Sequence, residues 1–460
     1  MFKKIEIWIL YLVMLLGVLF TISFGALVRY ELLGGQALKS INAQWLPKAA
    51  LNLAEIPMSV KKILKGIGND FTIDDRFPGL GGFDGSPNSE ESYLLLSRYD
   101  GDLKQGVVEL VDLTNFDILH TWNPDIDEFN SLVEKDDEFK YLNRDGNDAR
   151  YLIYHPLLLK DGGLMFGWDA PFRKINACSE LIFQQTHNRT HHAIEIDSDG
   201  NVWVPSRIFP LSLPSKIIGE SLIIEDGGYH DDGILKLSND GEILFEKSVS
   251  QILIENGLEY LLYALGQEHE KDPIHLNDVQ PVNSDGEYWK KGDVFLSIRN
   301  QSMIILYRPS TNEIIWKGTG PFLHQHDIDI LDNHTISVFN NRSINVAPDT
   351  NIVDGHNEIV IYDFEIDEYT TYLSDSLIKN DVRTITQGAN QILPNGDLFI
   401  VESNAARTLY FDSDGSLRWT HLNRSGNGNV YSIGWSRILY TQDDILTVKN
   451  FLTNKGACNE

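Results

Sequence analysis

Five side chains between positions 274 and 329 have the types and spacing to act on an anion. They are the imidazoles of His275, His324 and His326, the amide of Asn277 and the guanidinium of Arg299. Hydrogen-bond donors that are neutral or positively charged suit a tetrahedral anionic group such as sulfate or phosphate. A neutral imidazole among them has the lone pair needed to take over that group covalently. The segment therefore predicts an oxyanion site with a histidine as nucleophile.

The sequence around this segment is typical of an all-β chain. Short runs rich in β-branched and aromatic residues are separated by turn dipeptides that favour tight hairpins. Clear examples of these dipeptides are Asp199-Gly200, Asp240-Gly241, Asn395-Gly396 and Asp414-Gly415. The hairpins recur in units of about forty to fifty residues, a period that indicates a propeller rather than a sandwich.

Repeated strand–turn–strand segments give the expected number of blades. Five of them share one pattern and cover 107–122, 233–248, 303–318, 358–373 and 408–422. A sixth, divergent unit is expected at residues 151–185, and the final segment 431–442 is expected to close the ring. Closure would remove the exposed strand edges of an open sheet. We therefore expect an all-β, six-bladed propeller over residues 91–460, carrying the catalytic site.

The innermost strands should carry the function, because in a propeller they line the central channel. Polar residues begin these strands at His155, His192, His275, His326 and Asn390. Burying three imidazoles without a purpose would cost about 1–3 kcal/mol each, so His192, His275 and His326 are predicted site residues. By contrast, His155 precedes an apolar run and is expected to be structural, and His324 is expected to lie in a loop. Arg299 has an alternative role as a rim residue paired with a surface acid.

The N-terminus has the features of a membrane anchor. Lys3 and Lys4 precede an apolar run of about 24 residues that would span ~36 Å as a helix, enough to cross a bilayer. Lysines before the run predict that the N-terminus lies in the cytoplasm and the bulk of the chain outside it, in the periplasm or beyond the cytoplasm. We expect residues 1–30 to be an uncleaved anchor, with a cleaved signal peptide as the alternative. Residues 31–90 are expected to form a helical stalk or cover.

Charge and cysteine content exclude other classes of protein. The formal net charge of −28 argues against nucleic acid as a partner, because phosphate binding needs a basic surface. The two cysteines, Cys178 and Cys458, lie too far apart in sequence for a cysteine-rich zinc site. In an oxidising compartment they are candidates for a disulfide, which the sequence leaves open.

These motifs resemble the bacterial arylsulfate sulfotransferases, which are six-bladed propeller enzymes of the bacterial envelope. The resemblance is strongest from Asp272 to Asn341, where HLND, SIRNQS, IIW and HQHD occur in the family's order. It extends more weakly from His191 to the TQGANQILPNGDLFIVES segment near Thr386. The combination of motifs is specific, although each motif alone is weak.

The resemblance implies a ping-pong transfer that needs no nucleotide sulfate, cofactor or metal. The histidine matching His326 would take a sulfuryl group from an aryl sulfate ester, carry it as sulfohistidine, and pass it to a phenolic or other hydroxyl. The residues that would hold the sulfuryl oxygens match His192, His275, Asn277 and Arg299, assisted by Thr386 or Asn390. Family members carry a β-sandwich before the propeller where this chain has an anchor, so the acceptor and a homodimeric state stay open.

Two other functions remain open from the residues alone. One is a membrane-anchored propeller that binds an anionic glycan without catalysis. The other is a metal-dependent propeller hydrolase, which a scarcity of carboxylates at the starts of the inner strands disfavours.

Overall fold

The computed structural model describes residues 6–32, 43, 45–51, 53–54, 56, 71–134, 138–213, 229–263, 271–347 and 350–454. They fall into two compact units. The first comprises Met1–Gly68 and Leu213–Tyr229, and the second comprises Asn69–Ser212 and His230–Glu460.

A long apolar helix, α1 (Ile7–Leu32), dominates the first unit. Its stretch Ile7–Tyr30 is long and apolar enough to cross a membrane, and its large side chains are mostly exposed. The predicted N-terminal helix is therefore present, as the unbroken apolar run requires. Residues 45–51 are also helical, and most of the expected helical stalk before residue 71 lies outside the described residues.

The remaining elements belong to the second unit and are mostly strands. Those before residue 250 are β1 (Thr72–Ile73), β2 (Gly82–Gly85), β3 (Tyr93–Asp100), β4 (Gln105–Asp112), β5 (Asp117–Trp122), β6 (Leu157–Leu158), β7 (Leu164–Phe166), β8 (Ala170–Ile175), β9 (Leu181–Thr190), β10 (Glu195–Ile196), β11 (Val202–Arg207), β12 (Asp232–Leu237) and β13 (Ile243–Ser248). The following ones are β14 (Leu276–Pro281), β15 (Val294–Ile298), β16 (Met303–Arg308), β17 (Glu313–Gly318), β18 (Ile328–Ile330), β19 (Thr335–Asn340), β20 (Ser343–Ala347) and β21 (Thr350–Val353). The last are β22 (Glu358–Asp363), β23 (Glu368–Tyr372), β24 (Ala389–Ile392), β25 (Leu398–Glu402), β26 (Arg407–Phe411), β27 (Leu417–Leu422), β28 (Val430–Tyr431) and β29 (Arg437–Leu439).

Short helices connect or cover the strands. They are α2 (Ile126–Ser131), α3 (Leu142–Asp145), α4 (Val249–Glu255), α5 (Ser374–Lys379) and α6 (Gln442–Asn454). Side-chain caps start two of them, because the first N–H groups of a helix have no partner within it. The Asp125 carboxylate accepts from Glu128 N–H at the start of α2, and Ser248 Oγ accepts from Gln251 N–H at the start of α4.

The strands form an all-β, propeller-like arrangement of antiparallel sheets. In the described ranges, four sheets have four or five strands: β29-β3-β4-β5, β14-β15-β16-β17, β18-β19-β22-β23 and β2-β27-β26-β25-β24. Strands β6 to β13 form one eight-stranded sheet. The expectation of six separate blades is therefore not met. Strand β9 pairs with β11 at Thr190–Ser206 and Arg189–Arg207, which joins two expected blades into one sheet.

The predicted strand pairs are all present as neighbours: β4–β5, β12–β13, β16–β17, β22–β23 and β26–β27. The burial pattern explains why these strand pairs could be recognised in the sequence. Central strands such as β15 are buried along their whole length, whereas outer strands such as β17 alternate between exposed and half-buried residues. Apolar side chains from neighbouring sheets pack together, as Phe295 and Ile304 do with Ile336, Val338 and Val360. Each fully buried apolar side chain contributes about 1.5–3 kcal/mol.

The final segment of the chain closes the ring, as its sequence indicated. Strand β29 pairs antiparallel with β3 through Arg437–Leu95, Ile438–Leu94 and Leu439–Tyr93. The start of the sheet region lies earlier than residue 90, because β1 pairs with β28 and β2 pairs with β27. In the described residues from 72 onward, the segment predicted to be helical contains the strands β1 and β2 and no helix.

Side chains of one inner strand accept backbone N–H groups of the next. The described bonds are His155 Nδ1 with Ile194 at 3.1 Å, Asp278 Oδ2 with Ile328 at 2.8 Å, Asp327 Oδ2 with Asn390 at 2.8 Å, and Gln391 Oε1 with Ile438 at 2.9 Å. Inner strands of different sheets make no ladder with one another, so these bonds satisfy strand edges that would otherwise be unpaired.

Cys178 is disulfide-bonded. Cys458, its proposed partner, lies outside the described residues.

Candidate active site

Six strands each begin one to three residues after a large polar or aromatic side chain. These side chains lie one to three residues before β6, β10, β14, β18, β24 and β29, and they are His155, His192, His275, His326, Gln387 and Trp435. Four of the six residues have a positive φ: 43° at His155, 59° at His192, 51° at His275 and 60° at Gln387. Such angles are uncommon outside glycine and cluster at functional sites. The same left-handed backbone conformation thus recurs before four of these strands.

The three histidines predicted to act together lie together. The ring centroids of His192 and His275 are 5.3 Å apart, and those of His192 and His326 are 6.1 Å apart. Trp435 lies beside them, 6.1 Å from the His326 ring and 6.3 Å from the His192 ring. We call His192, His275, His326, Arg299 and Trp435 the imidazole pocket.

His326 is fully buried and has a hydrogen bond at each ring nitrogen. Its Nδ1 lies 2.7 Å from Asn341 Oδ1. The backbone N–H of Gln387 donates to Nε2 at 2.9 Å. Because an N–H group needs an acceptor, Nε2 carries a lone pair and the ring proton is on Nδ1.

Burial and neighbouring positive groups keep the imidazoles neutral. Burial, and then the Arg299 guanidinium, holds the pKa of His326 well below its ordinary value. Burial, and then the neighbouring His191, does the same to the pKa of His192. Burial and Arg299 lower the pKa of His324 to about 4. A neutral imidazole has a free pair of electrons at neutral pH, which is what a nucleophile requires.

His275 is paired with a carboxylate that the sequence analysis did not single out. Its Nδ1 lies 2.6 Å from Asp272 Oδ2, and His230 Nδ1 lies 3.5 Å from the same oxygen. Burial would raise the pKa of Asp272, but the hydrogen bonds from His230 and His275 outweigh it and hold that pKa below its ordinary value. The Asp272 carboxylate thus fixes the orientation of the His275 imidazole through Nδ1.

Arg299 follows β15 in a short turn and is held by the backbone. Its N–H donates to His275 O at 3.2 Å, and its Nη1 donates to Asn300 Oδ1 at 2.9 Å. Its Nε is buried and has no hydrogen-bond partner within the described part of the chain. Burial lowers the pKa of Arg299 and the charge of the Asp272 carboxylate opposes that change, so an arginine paired with an acid stays an alternative.

The predicted substrate-binding residues lie in different surroundings. Asn277 is fully buried, its Nδ2 donates to Gln325 O at 3.0 Å, and its Oδ1 lacks a partner among the described residues. Thr386 is half-buried, and its N–H donates to Asn404 Oδ1 at 3.0 Å. Asn390 Nδ2 donates to Ser337 Oγ at 3.1 Å, and the residue lines a second cavity.

That second cavity has a volume of about 260 Å³ and is acidic. Its lining includes Glu195, Asp327 and Asp329, with Arg437 beside them. Burial and the neighbouring carboxylates raise the pKa of Asp329 to about 7 and shift those of Asp327 and the adjacent Asp278 well above their ordinary value. We call Glu195, Asp278, Asp327 and Asp329 the acidic cavity. The expected scarcity of carboxylates along the inner strands was therefore wrong.

Aromatic residues that the sequence analysis passed over complete the pocket. Trp435 is fully buried, and its indole Nε1 has no hydrogen-bond partner in the ranges described. The Trp168 ring lies 5.0 Å from His192 and stacks on Tyr154 at 3.9 Å. The position of Trp435 two residues before the closing strand, like His326 before β18, is the signal that would have found it.

Metal ligation is not suggested by the described residues. None of their groups of three or more histidine, cysteine, aspartate or glutamate side chains could hold a metal ion. The donor set of the imidazole pocket suits an anion instead.

The fold is an all-β, propeller-like arrangement, and the imidazole pocket brings imidazole, guanidinium and indole groups together. A family model for arylsulfotransferases (ASST) matches residues 155–424, more than half of the chain, and the chain belongs to that family. The matched region contains His192, His275, Arg299 and His326, and membership supports arylsulfotransferase activity in general.

Solved structures that match the chain share little sequence with it. A protein of unknown function from Bacteroides caccae is 13% identical, with a TM-score of 0.44 over 72% of this chain and 94% of that one. A streptogramin B lyase is 11% identical, with a TM-score of 0.37 over 77% and 96%. A selenomethionine-substituted virginiamycin B lyase from Staphylococcus aureus is 12% identical, with a TM-score of 0.32 over 59% and 70%. No curated protein sequence matches the chain.

Proposed function

We propose that the protein moves a sulfuryl group from an aryl sulfate ester to a phenolic or other hydroxyl acceptor, through a sulfohistidine on His326. The observation that carries the proposal is the neutral Nε2 of His326 in a pocket whose buried donors lack partners. Those donors are Arg299 Nε and Trp435 Nε1. A buried polar group without a partner costs about 1–3 kcal/mol, so such groups require an explanation. A bound sulfuryl group would satisfy them.

The first half-reaction uses His326 as nucleophile and His275 as acid. Nε2 of His326 attacks the sulfur, the bond between sulfur and the aryl oxygen breaks, and its electron pair leaves with that oxygen. His275, held by Asp272, gives the leaving oxygen a proton. Arg299, His192 and the amide of Asn277 offset the charge on the three sulfuryl oxygens, and loss of one such donor typically costs about 3–4 kcal/mol of barrier.

The second half-reaction runs the same steps in reverse with a new alcohol. The acceptor hydroxyl gives its proton to His275, and its oxygen attacks the sulfur. The nitrogen–sulfur bond then breaks and its electron pair returns to Nε2 of His326. Thr386 is proposed to contact the sulfuryl group or acceptor from the loop before β24, and Asn390 is proposed to support that loop. Each half-reaction leaves protons and charge balanced without a cofactor.

Access to Nε2 is a requirement of this mechanism. His326 is fully buried and its Nε2 already accepts the Gln387 N–H. A substrate must displace that hydrogen bond, whose net contribution is about 1 kcal/mol. The same contact favours a second candidate function, in which the pocket binds an anionic glycan and His326 never reacts.

The finer architecture belongs to the same proposal. The eight-stranded sheet divides into β6–β9 and β10–β13, which together with the other four sheets would make six blades. The helix at Ile7–Tyr30 would anchor the propeller outside the cytoplasm, in the periplasm. A homodimer is compatible with this arrangement.

The test uses the purified full chain, a chromogenic aryl sulfate and a phenol. We expect phenolate release that depends on the acceptor, and a mass increase of one sulfuryl group on a peptide containing His326. His326→Ala should abolish both, a loss of at least ~10³-fold. His334→Ala, a change to a surface histidine on the turn before β19, serves as the matched control and should be fully active. Glycan binding with no adduct would support the second candidate and reject the transfer.

A further inference from the structure

Asn341 makes a set of hydrogen bonds that permits only one orientation of its amide. The residue directly follows β19 and is fully buried. Its Nδ2 donates to Gln387 O at 2.7 Å and to Thr384 O at 3.1 Å. Both partners are backbone carbonyls, which can only accept. The amide nitrogen must therefore face them, and Oδ1 must face His326.

This orientation determines where the His326 ring carries its proton. Asn341 Oδ1 lies 2.7 Å from Nδ1 and can only accept, so Nδ1 must donate. On the other side of the ring, the Gln387 N–H points at Nε2 at 2.9 Å and can only donate. Two separate hydrogen bonds thus require the same tautomer, with the proton on Nδ1 and the lone pair on Nε2.

Asn341 also ties the histidine to the loop that covers it. It holds the carbonyl of Gln387, while the N–H of the same residue covers Nε2. Gln387 and Gly388 have φ angles of 60° and 96°, so the loop turns sharply here. A Cβ on Gly388 would lie 2.5 Å from the Phe339 ring, so only glycine fits this turn. The Asn341 amide therefore fixes both the orientation of the His326 ring and the position of the loop that covers it.

We propose that Asn341 is a positioning residue that holds His326 as the Nδ1–H tautomer and so makes Nε2 the atom that takes the sulfuryl group. The inference rests on the proposed function, and nothing in the sequence motifs pointed to this residue. Outer partners of reactive side chains typically change activity about 10–100-fold when they are removed.

Two substitutions separate the acceptor from the rest of the amide. Asn341→Leu removes the nearer of the two acceptors at Nδ1, leaving His324 O at 3.2 Å, and releases the Gln387 carbonyl, so turnover with an acceptor should fall about 10–100-fold. Asn341→Asp keeps an acceptor but adds a negative charge, which favours the imidazolium. Its pH–rate profile should therefore lose activity at a higher pH than the wild type does on acidification.

A nearby asparagine provides the matched control. Asn357 Nδ2 donates to Asn341 O at 2.7 Å and to Thr384 O at 3.0 Å, and its Oδ1 accepts from Thr384 N–H at 2.6 Å. Asn357→Leu thus loosens the same loop without touching His326. It should alter KM or stability while leaving the acid limb of the pH profile in place. An equal shift in Asn357→Leu and Asn341→Asp would overturn the proposal.

A spectroscopic measurement keeps the inference independent of turnover. In ¹⁵N-histidine-labelled full chain, His326 is assigned by comparison with His326→Gln. We expect a protonated Nδ1 and an unprotonated Nε2 in the wild type, and a mixed or reversed pattern in Asn341→Leu. If the protonation of the two His326 ring nitrogens were unchanged in Asn341→Leu, the inference would be wrong, whatever the turnover of that variant. Wild-type protein that shows this tautomer but forms no adduct would refute the proposed function alone.

Discussion

The imidazole pocket and the acidic cavity are built by the same inner strands, yet their polar atoms are used differently. In the acidic cavity, Asp278 and Asp327 accept backbone N–H groups of neighbouring inner strands and so hold the ring together. In the imidazole pocket, Arg299 Nε and Trp435 Nε1 have no partner within the described ranges. Polar residues at equivalent positions are therefore not equivalent in role. The acidic cavity has an unpartnered atom as well, Asp278 Oδ1, but that atom is an acceptor, whereas the two in the imidazole pocket are donors.

The two regions also respond to pH with opposite signs. Burial lowers the pKa of His326 and His192, so the unfolded chain binds more protons there, and stability is lost as the pH falls below about 6.5. Burial raises the pKa of Asp329 to about 7, so the folded chain binds more protons there. Its contribution is present below the ordinary carboxyl pKa and is lost as the pH rises toward 7.

The largest expected effect separates catalysis from stability at Arg299. Arg299→Gln should reduce kcat/KM for the aryl sulfate about 10²–10³-fold, because a charged donor to the sulfuryl oxygens is lost. The melting temperature should stay the same or rise, since a buried unpaired donor is removed. Steady-state kinetics and calorimetry on one preparation measure both. If Arg299→Gln lost activity only because it was less stable, Arg299 would have a structural role like that of the carboxylates in the acidic cavity.

In the acidic cavity the reverse outcome is expected. Asp278→Ala should lower the free energy of unfolding by about 2–3 kcal/mol, because the buried N–H of Ile328 loses its acceptor. Asp278→Asn keeps an acceptor oxygen and should cost less. Denaturant titration measures the difference, and the folded fraction of each variant should keep its specific activity. If Asp278→Asn lost turnover while remaining folded, this carboxylate would belong to the chemistry.

A smaller effect is expected at the indole. Trp435→Phe keeps a large aromatic side chain but removes the unpaired N–H, so kcat/KM should fall about tenfold, or ~1.4 kcal/mol. Trp203→Phe, on β11, removes an indole N–H that is bonded to Asp197 at 3.1 Å and serves as the control. Unchanged kinetics in Trp435→Phe would assign the indole to packing alone.

The smallest effect concerns Asp329 and tests the sign of the pH dependence. Asp329→Asn cannot ionise, so the variant should gain stability relative to the wild type between pH 4 and 8 by about 1 kcal/mol, a value reduced by screening of this half-exposed side chain. Parallel stability curves for the two proteins across that range would contradict the assignment.

The features of the fold that could be predicted from the sequence are those that recur along it. The alternation of polar and apolar residues made outer strand pairs such as β16–β17 predictable. The shared position just before an inner strand predicted that His192, His275 and His326 lie close together, as their ring distances show. The pairing of β9 with β11 was not readable, because it depends on two backbone contacts and not on periodicity. Asn341 and Gln387 were missed for a related reason. Their roles come from a turn that aims a backbone amide at an imidazole.

The carboxylates show the limit of reading strand starts alone. Asp278 ends the HLND motif, Asp327 ends the HQHD motif and Asp329 follows two residues later, but these motifs alone predict a role for the histidines and none for the carboxylates. Alternation along β14 and β18 was the available signal, since neighbouring residues of a strand point to opposite faces. Their pKa values depend on burial among other acids, which only the assembled channel supplies.

The strand that seals the ring comes from the end of the chain, and this sets the order of assembly. Leu94 on β3 finds its partner Ile438 on β29 only after more than 340 intervening residues have been made. Trp435 belongs to the same stretch of chain, so the imidazole pocket and the pairing of β29 with β3 are completed together. Loss of residues 431–442 would therefore remove Trp435 from the pocket and leave β3 with an unpaired, aggregation-prone edge.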